Sequence, residues 1–169
     1  GVGMWGLDAG DAVVGYGVLE WLNSRCTVRD YGAITTEAHT PFPERVEKIC
    51  CDLCALMTRF RPQAMSIEKL FCNSNAKTVI DVAQARGVTV LAAQQNGVEI
   101  FEYTPLQVKQ SVVGYGRAEK KQVQEMTRII LHLAKIPKPD DTADALAMAI
   151  CHGHASGPLM GRLKQMGRK

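Results

Sequence analysis

The sequence predicts a single α/β domain in which helices pack on a mixed β-sheet. Three segments rich in β-branched and aromatic residues follow one another within residues 1–36, which is typical of an antiparallel meander. Beyond them, helical periodicity alternates with short apolar runs, which indicates helices between further strands. The chain has 169 residues, of which 46% are apolar and 22% charged, so it is long enough to bury one core of ordinary size.

The elements of the first half follow from apolar periodicity and turn residues. Strand-like segments are short and bounded by glycine, asparagine, serine or proline, whereas the helical segment repeats apolar residues every three or four positions. The predicted elements are strands ending at Asp8 and covering 12–21, 24–36 and 63–70, and one helix over 41–60.

The second half is predicted to complete the sheet and to add three helices. Residues 75–87 form a helix that Gly87 ends. The apolar run at 88–93 either caps a helix or adds a sixth strand. The remaining elements are a parallel strand over 98–104 and helices over 118–134 and 140–154.

Six cysteines raise the question of disulfides or metal. No amino-terminal segment has the pattern of a secretory signal and no apolar run is long enough to span a membrane, so reduced thiols are expected. Cys51 and Cys54 have the spacing of a zinc-binding pair, but no second pair follows at a zinc-ribbon distance. Packing of a helix face is therefore favoured over zinc.

The net charge of +3 is unevenly distributed. Basic residues cluster in two places, one between residues 109 and 121 and one from 153 to the C-terminus, where acidic residues are absent. They are Lys109, Arg117, Lys120 and Lys121, and then Arg162, Lys164, Arg168 and Lys169. Basic surface beside an acidic pocket is common in enzymes that act on nucleic acids, although a solvated helix face and a frayed tail have the same composition.

Four acidic residues stand where an α/β sheet forms a ligand crevice. Asp8 and Glu68 fall at strand ends, and Asp141 and Asp144 are spaced to project from one helix face. A turn residue, a solvated strand end or an N-cap at Asp140 or Asp141 would explain each acid singly. Asp144 lies in a helix that is apolar nearly all round, so it needs a partner or a cation. If the four converge, divalent cations would offset their repulsion.

Five ordered blocks of the sequence resemble the bacterial RuvC family of Holliday junction resolvases. The blocks, spread from about Trp5 to about His154, are GLDAGDAVVGYGVL, SIEKLF, VAQARGV, EYTPLQVKQSVVGYGRAEKKQV and DDTADALAMAICH. The resemblance implies a ribonuclease-H-like fold, a five-stranded mixed sheet flanked by helices. It also implies a metal-dependent, structure-specific endonuclease that resolves junctions by paired symmetric nicks in DNA recombination and repair.

The resemblance also implies the site residues. Catalysis and the binding of two Mg²⁺ ions, with Mn²⁺ as an alternative, would fall to Asp8, Glu68, Asp141 and Asp144. Phe71 would stack on bases of the opened junction, although it could equally be a core residue. The candidates for phosphate contact are Lys109, Arg117, Lys120 and Lys121, for which an ordinary surface role is the alternative.

Partners and domain limits follow from the same resemblance. We expect a nuclease domain over residues 1–155 and a flexible basic tail over 156–169, in a cytoplasmic homodimer that binds four-way junction DNA and meets a branch-migration helicase complex. The segment 75–87 is the candidate dimer surface. A non-catalytic junction-binding protein and a ribonuclease-H-like nuclease for another nucleic acid are the alternative functions.

Two departures from the family pattern concern the turn after the first strand. Ala9 replaces a proline, and Asp11 adds negative charge. The loss of the proline lowers the free energy of unfolding by about 0.4–1 kcal/mol, because the unfolded chain becomes less restricted. We expect Asp11 to point outward and to be neutral for catalysis. At the other end, His152 and His154 project to different sides of a helix, so one is expected to pack inward and the other to be solvated.

Overall fold

One mixed sheet contains all the strands of the part of the chain that is described. The computed structural model describes the backbone of residues 2–9, 13–69 and 76–157, and the side chains of residues 13–69 and 79–157. The strands are β1 (Val2–Ala9), β2 (Val13–Leu22), β3 (Arg25–Thr35), β4 (Ala64–Glu68) and β5 (Glu99–Tyr103), in the spatial order β3-β2-β1-β4-β5.

The pairing of the strands confirms the predicted meander and the parallel fifth strand. β1 pairs antiparallel with β2, and β2 pairs antiparallel with β3. β4 is parallel to β1, and β5 is parallel to β4. The helices that cover the sheet are α1 (Phe42–Phe60), α2 (Ala76–Gln95), α3 (Pro105–Val112), α4 (Lys120–Ile130) and α5 (Asp140–Ala155). The α/β prediction is therefore confirmed.

The predicted end of α2 at Gly87 is wrong. The helix continues through residues 88–93, so this run is helical and does not add a sixth strand. A glycine inside a helix costs about 1 kcal/mol relative to alanine. That cost is offset here because Ala92 and Ala93, one turn and a half further on, are fully buried in the core. The chain leaves the helix at Gly97, which has φ +69°.

Helix α3 was not predicted, although the sequence contains a signal for it. The N–H of Thr104 donates to the side-chain oxygen of Gln107 at 2.8 Å, and the N–H of Gln107 donates to the Thr104 hydroxyl at 3.1 Å. This reciprocal capping box, with Pro105 at the first helical position, begins the helix.

The two faces of the sheet carry separate cores. Alternate residues of β2, including Val14 and Val18, pack with α1 and α2. Leu19 packs on the opposite face with α5, which in turn is covered by α3 and α4. Since α5 lies between the sheet and these two helices, nearly all of its residues from Thr142 to Gly153 are buried.

Glycines in β2 allow α5 to lie directly on the sheet. A Cβ atom on Gly15 would come within 2.2 Å of the carbonyl carbon of Asp141, and one on Gly17 within 2.4 Å of the Leu146 side chain. The approach of two backbones at Gly15 leaves no room for any other residue. The first turn of α5 is thereby held against the end of the sheet at which β1 finishes.

Several residues singled out from the sequence lie outside the described part. They are the side chain of Asp8, and Asp11, Phe71, Cys72 and residues 158–169, which include most of the predicted basic tail. Within the described ranges, none of the helices has the length and apolar character needed to cross a membrane.

Candidate active site

The backbone brings the predicted acidic residues to one edge of the sheet. Leu7 of β1 pairs with Ile67 of β4, so Asp8 and Glu68 are the next residues on two adjacent parallel strands. Asp8 also pairs with Gly15, against which the backbone of Asp141 packs. The carboxyl ends of β1 and β4 and the start of α5 therefore meet at one place, as in the ligand crevices of open α/β sheets.

A cleft of about 260 Å³ opens at this edge. Two carboxylates, Glu68 and Asp144, and two ammonium groups, Lys109 and Lys120, line it. The rest of its wall is apolar and consists of Pro105, Val108, Val123, Ala147 and Met148. The cleft thus joins charged groups of both signs to a surface that holds little water.

Glu68 is an exposed residue whose carboxylate is nevertheless partly withdrawn from water. This desolvation raises the pKa of Glu68, and the negative charge of Asp144 raises it further, whereas Lys120 lowers it. Two carboxylates close enough to affect each other in this way favour a cation between them. Arg86 of α2 supports the strand end, because its Nε lies 3.5 Å from the carbonyl oxygen of Glu68 and its guanidinium pairs with Glu102 at 2.8 Å.

Asp144 has Lys120 as its partner, as its position in an apolar helix required. The Lys120 ammonium lies 3.4 Å from Asp144 and 3.8 Å from Asp140. Asp140 is also paired with Lys138 at 3.0 Å, and this hydrogen bond is the main reason why the pKa of Asp140 is lowered. Lys120 therefore connects the cleft to a neighbouring group of charges at the start of α5.

Asp141 is half-buried in the first turn of α5 and is not among the residues that line the cleft. The alternative that Asp140 or Asp141 caps the helix is wrong, because Pro139 occupies the N-cap position and the helix begins at Asp140 without a side-chain cap. The first turn is tied to β3 instead, where the Thr142 hydroxyl donates to the carbonyl oxygen of Gly32 at 2.8 Å.

The residues of the cleft fit a divalent cation by their chemistry. Carboxylate oxygens are the ligands that Mg²⁺ prefers, and a cation would offset the repulsion that raises the pKa of Glu68. Among the described side chains, no three histidine, cysteine, aspartate or glutamate groups are close enough together to hold a metal ion. Asp8, the fourth predicted ligand, lies outside them.

The cysteines of α1 pack beside the core rather than forming a site of their own. Cys50 and Cys54 are half-buried against the core, while Cys51 is exposed and each of the three is a free thiol. The side-chain amide of Asn96 donates to the Cys54 sulfur at 3.5 Å. None of the cysteines in the described residues forms a disulfide in this structure, and reduced thiols stay a prediction.

The remaining predicted contacts divide into those at the cleft and those outside it. Lys109 is half-buried in the cleft wall, whereas Arg117 and Lys121 are exposed and do not line it.

The expectation for the two histidines is confirmed. His152 is buried, with its Nδ1 2.6 Å from the Tyr103 hydroxyl, and His154 is exposed, with its Nδ1 2.9 Å from the Ser111 hydroxyl.

Three features of the site were missed from the sequence. Arg86 lies in one of the blocks that carry the resemblance, but its contact with the end of β4 depends on how α2 packs. The ion pairs of Lys120 with Asp140 and Asp144 could not be predicted from the sequence, since ion pairs depend on side-chain conformation. The apolar wall formed by Val108 could have been inferred, because the capping box that begins α3 is readable at Thr104 and Gln107.

Comparison with known sequences identifies close relatives over almost the whole chain. A family profile described as "Crossover junction endodeoxyribonuclease RuvC" matches residues 4–152. The protein of that description from Ruminiclostridium cellulolyticum is 57% identical over 158 residues, which are 92% of this chain and 95% of that protein. The one from Clostridioides difficile is 52% identical over 164 residues, with 97% and 96% of the two chains covered.

A solved structure agrees with the arrangement of the sheet and helices. It is described as "T. thermophilus RuvC in complex with Holliday junction substrate", and it superposes with a TM-score of 0.84 at 30% identity, covering 92% of this chain and 95% of that one. This agreement supports the ribonuclease-H-like fold that the resemblance implies. Because the profile and the relatives span nearly all of the sequence, the chain belongs to the RuvC family of crossover junction endodeoxyribonucleases.

Proposed function

We propose that this protein is a metal-dependent, structure-specific endonuclease that resolves Holliday junctions by paired symmetric nicks in DNA recombination and repair. The observation that carries the proposal is the cleft lined by Glu68 and Asp144 together with Lys109 and Lys120 at the ends of β1 and β4. Membership of a family of crossover junction endodeoxyribonucleases supports the reaction, and the charges of the cleft suit a phosphodiester backbone.

The metal ligands in this proposal are Asp8, Glu68, Asp141 and Asp144. Two Mg²⁺ ions, with Mn²⁺ as the alternative, would supply an activated water and stabilise the charge on the leaving 3′ oxygen when bound. Glu68 and Asp144 repel each other across the cleft, which favours cation binding there. The register of β1 on β2 and the contact of Gly15 with Asp141 support the proximity of the other two acids.

The lysines of the cleft bind and orient the scissile phosphate. Lys109 and Lys120 line the cleft together with Glu68, and the Lys120 ammonium lies 3.4 Å from a carboxylate oxygen of Asp144. Neutralisation of Asp144 by a cation would release the Lys120 ammonium toward an incoming phosphate. The apolar side chains of Val108 and Met148 limit the access of bulk water. Phe71, Arg117 and Lys121 bind the strand beyond the site.

The proposed assembly is a cytoplasmic homodimer that also meets a branch-migration helicase complex. A four-way junction has approximate two-fold symmetry, and two equivalent sites on a symmetric dimer would cut strands of like polarity. Helix α2 offers the surface for the second copy, because Ile80 and Leu91 are 57% and 51% exposed on it. Eleven residues are close to three helical turns, so these two side chains lie on the same face.

Cleavage of an end-labelled synthetic four-way junction in Mg²⁺ tests the proposal. Wild type should give paired symmetric nicks, and Asp8→Asn, Glu68→Gln and Asp144→Asn should each lose at least about 100-fold in cleavage rate while still binding the junction. Asp52→Asn is the matched control. Asp52 is an exposed carboxylate that pairs with Lys48 within α1, and α1 packs on the face of the sheet opposite to α5.

The outcomes separate this function from its alternatives. Tight junction binding by wild type without cleavage in Mg²⁺ or Mn²⁺ would indicate a non-catalytic junction-binding protein. Preferential cleavage of an RNA–DNA hybrid would indicate a nuclease for another substrate. Full activity of Glu68→Gln and Asp144→Asn would mean that the chemistry takes place elsewhere.

A further inference from the structure

The loop between α3 and α4 presents an exposed tyrosine in a shape that only glycines allow. Tyr115 is 48% exposed and stands between Gly114 and Gly116. Gly114 has φ +101°, a conformation that other residues rarely adopt. A Cβ atom on Gly116 would come within 2.3 Å of the Leu106 side chain, so the loop is pressed onto α3 at this point. The conformation of Gly114 thus restricts the backbone just before the ring, and Gly116 lies against the end of the Leu106 side chain just after it.

The far end of the tyrosine ring is attached to the first turn of α4. The side-chain amide of Gln122 donates to the Tyr115 hydroxyl at 2.9 Å. The oxygen of the same amide accepts the N–H of Glu119 at 2.7 Å, which caps the helix. Because Gln122 is fixed by the cap, it holds the ring in place while leaving much of the ring surface in solvent.

Three basic residues, Arg117, Lys120 and Lys121, follow Tyr115 closely in the sequence together with the acidic Glu119, and Lys120 lines the cleft. The N-terminus of α4 carries a partial positive charge, and Lys120 and Lys121 lie in its first turn. Lys120 reaches into the cleft, and Arg117 is an exposed residue in the same loop as Tyr115. Gln122, which binds the tyrosine hydroxyl, and Lys120 both lie in the first turn of α4, and one helical turn is about 5.4 Å long. The hydroxyl and the backbone of Lys120 are therefore close together.

We infer that Tyr115 is a stacking platform for a base of the DNA strand that enters the cleft, with Arg117 and Lys121 holding the phosphates beside that base. An aromatic surface set among cations suits a nucleic acid strand, whose bases stack on the ring while its phosphates bind the cations. A fixed ring loses little conformational freedom on binding. The inference rests on the proposed function and names a contact outside the metal-binding carboxylates.

The test uses four-way junctions that carry 2-aminopurine at successive positions around the crossover. All proteins carry Glu68→Gln, so that binding is measured without cleavage. Stacking quenches 2-aminopurine. Apart from any position that Phe71 quenches, we expect one position to be quenched by the Glu68→Gln protein and still to be quenched when Tyr115→Phe, which keeps the ring, is added. Adding Tyr115→Leu should abolish that quenching and weaken junction binding about 5- to 100-fold.

Tyr31→Leu is the control for the loss of an exposed tyrosine, because Tyr31 is 41% exposed on β3 in the described structure. It should leave both the quenching and the affinity unchanged, and thermal unfolding should show that Tyr115→Leu is folded. Unchanged quenching and affinity in Tyr115→Leu would overturn the inference. So would loss of binding in Tyr115→Phe as large as in Tyr115→Leu, since the hydroxyl and not the ring would then matter.

Failure of the proposed function has a different result. If the Glu68→Gln protein does not prefer a four-way junction to linear duplex, the function is wrong whatever Tyr115 does. If the junction is preferred and cut by wild type but Tyr115→Leu behaves as wild type, only the stacking contact is wrong.

Discussion

Lys120 is the residue on which the charge balance of the cleft depends. Its ammonium lies 3.4 Å from Asp144, and it is the cation that lowers the pKa of Glu68 against the effects of burial and of Asp144. The sequence placed Lys120 in a basic cluster and, through the family resemblance, near phosphate. Its pairing with Asp144 and Asp140 could not be predicted, because it depends on where α4 begins relative to α5.

Replacing Lys120 should change the acid side of the cleavage pH profile. In Lys120→Gln the pKa of Glu68 loses the influence that lowers it and rises further, so a higher pH is needed to ionise the carboxylate. Because protons compete with the cation for the Glu68 carboxylate, we expect the rising limb of the rate–pH profile at limiting Mg²⁺ to move to higher pH.

The measurement is single-turnover cleavage of the junction at saturating protein between pH 5 and 9. Lys48→Gln is the control, because Lys48 is an exposed lysine paired with Asp52 within α1. A profile for Lys120→Gln that keeps its wild-type position, with only a lower plateau, would show that Lys120 acts on the phosphate and not on the carboxylates.

At the scale of elements, α5 explains both what the sequence predicted and what it did not. Its apolar character on all sides predicted a buried helix, and the spacing of Asp141 and Asp144 predicted their shared position in its first turns. The packing of this helix on Gly15 and Gly17 was not predictable. A glycine in a strand is compatible with a bulge, a bend or the close approach of another backbone, and the sequence alone does not distinguish them. For the same reason the sequence predicts a helix end at Gly87, since the local cost of a glycine can be weighed from the sequence but the packing of the residues after it cannot.

The contact between β2 and α5 predicts unequal effects of the same substitution at two glycines. In Gly15→Ala the new methyl group would meet backbone atoms of Asp141 at 2.2 Å, and these cannot move without shifting α5. We expect the free energy of unfolding to fall by about 1–3 kcal/mol or more, and junction cleavage to fall with it. Urea unfolding followed by circular dichroism measures the change.

Gly32→Ala on the neighbouring strand is the matched control. There the added methyl group would be 3.0 Å from the hydroxyl of Tyr16, the end of a side chain that can adjust. We expect its effect on the free energy of unfolding to stay below about 1 kcal/mol. Equal effects at the two positions would mean that loss of glycine, and not the seating of α5, determines stability here.

At the scale of the whole molecule, the cores on the two faces of the sheet have different surroundings. α5 is covered by α3 and α4, whereas α2 on the other face leaves large apolar side chains in solvent. Among the described residues of α2 up to Leu91, the exposed ones fall at intervals of four, three and four, at Ile80, Gln84, Gly87 and Leu91, and Gln94 and Gln95 are also exposed at its end. This is the spacing at which one helix packs along another. The first three of these residues lie in the segment 75–87, the candidate dimer surface, and Leu91 lies beyond it.

Charges on this stripe should separate the copies. We expect wild type to have a solution mass of twice 18.5 kDa and the double variant Ile80→Glu, Leu91→Glu to have a mass of 18.5 kDa by light scattering. Two buried carboxylates facing their own copies across a two-fold axis are strongly unfavourable. The monomer should bind the junction more weakly and no longer make paired nicks.

Glu99→Lys is the control for a change of surface charge, because Glu99 is exposed at the start of β5. It should leave the mass unchanged. A dimeric double variant would show that α2 is not the interface, and a monomeric wild type would contradict the proposed dimer itself.

Trp21 gives the molecule an internal optical probe of α5. Its indole ring lies so close to Gly153 that a Cβ atom on that glycine would be 2.2 Å from it, and it stands edge-on to His154 with ring centres 5.8 Å apart. Separation of the helix would expose the ring to water and shift its emission to the red. In a Trp5→Phe variant, which leaves Trp21 as the single tryptophan of the chain, the emission therefore reports, without any attached label, whether the helix that carries Asp141 and Asp144 is seated on the sheet.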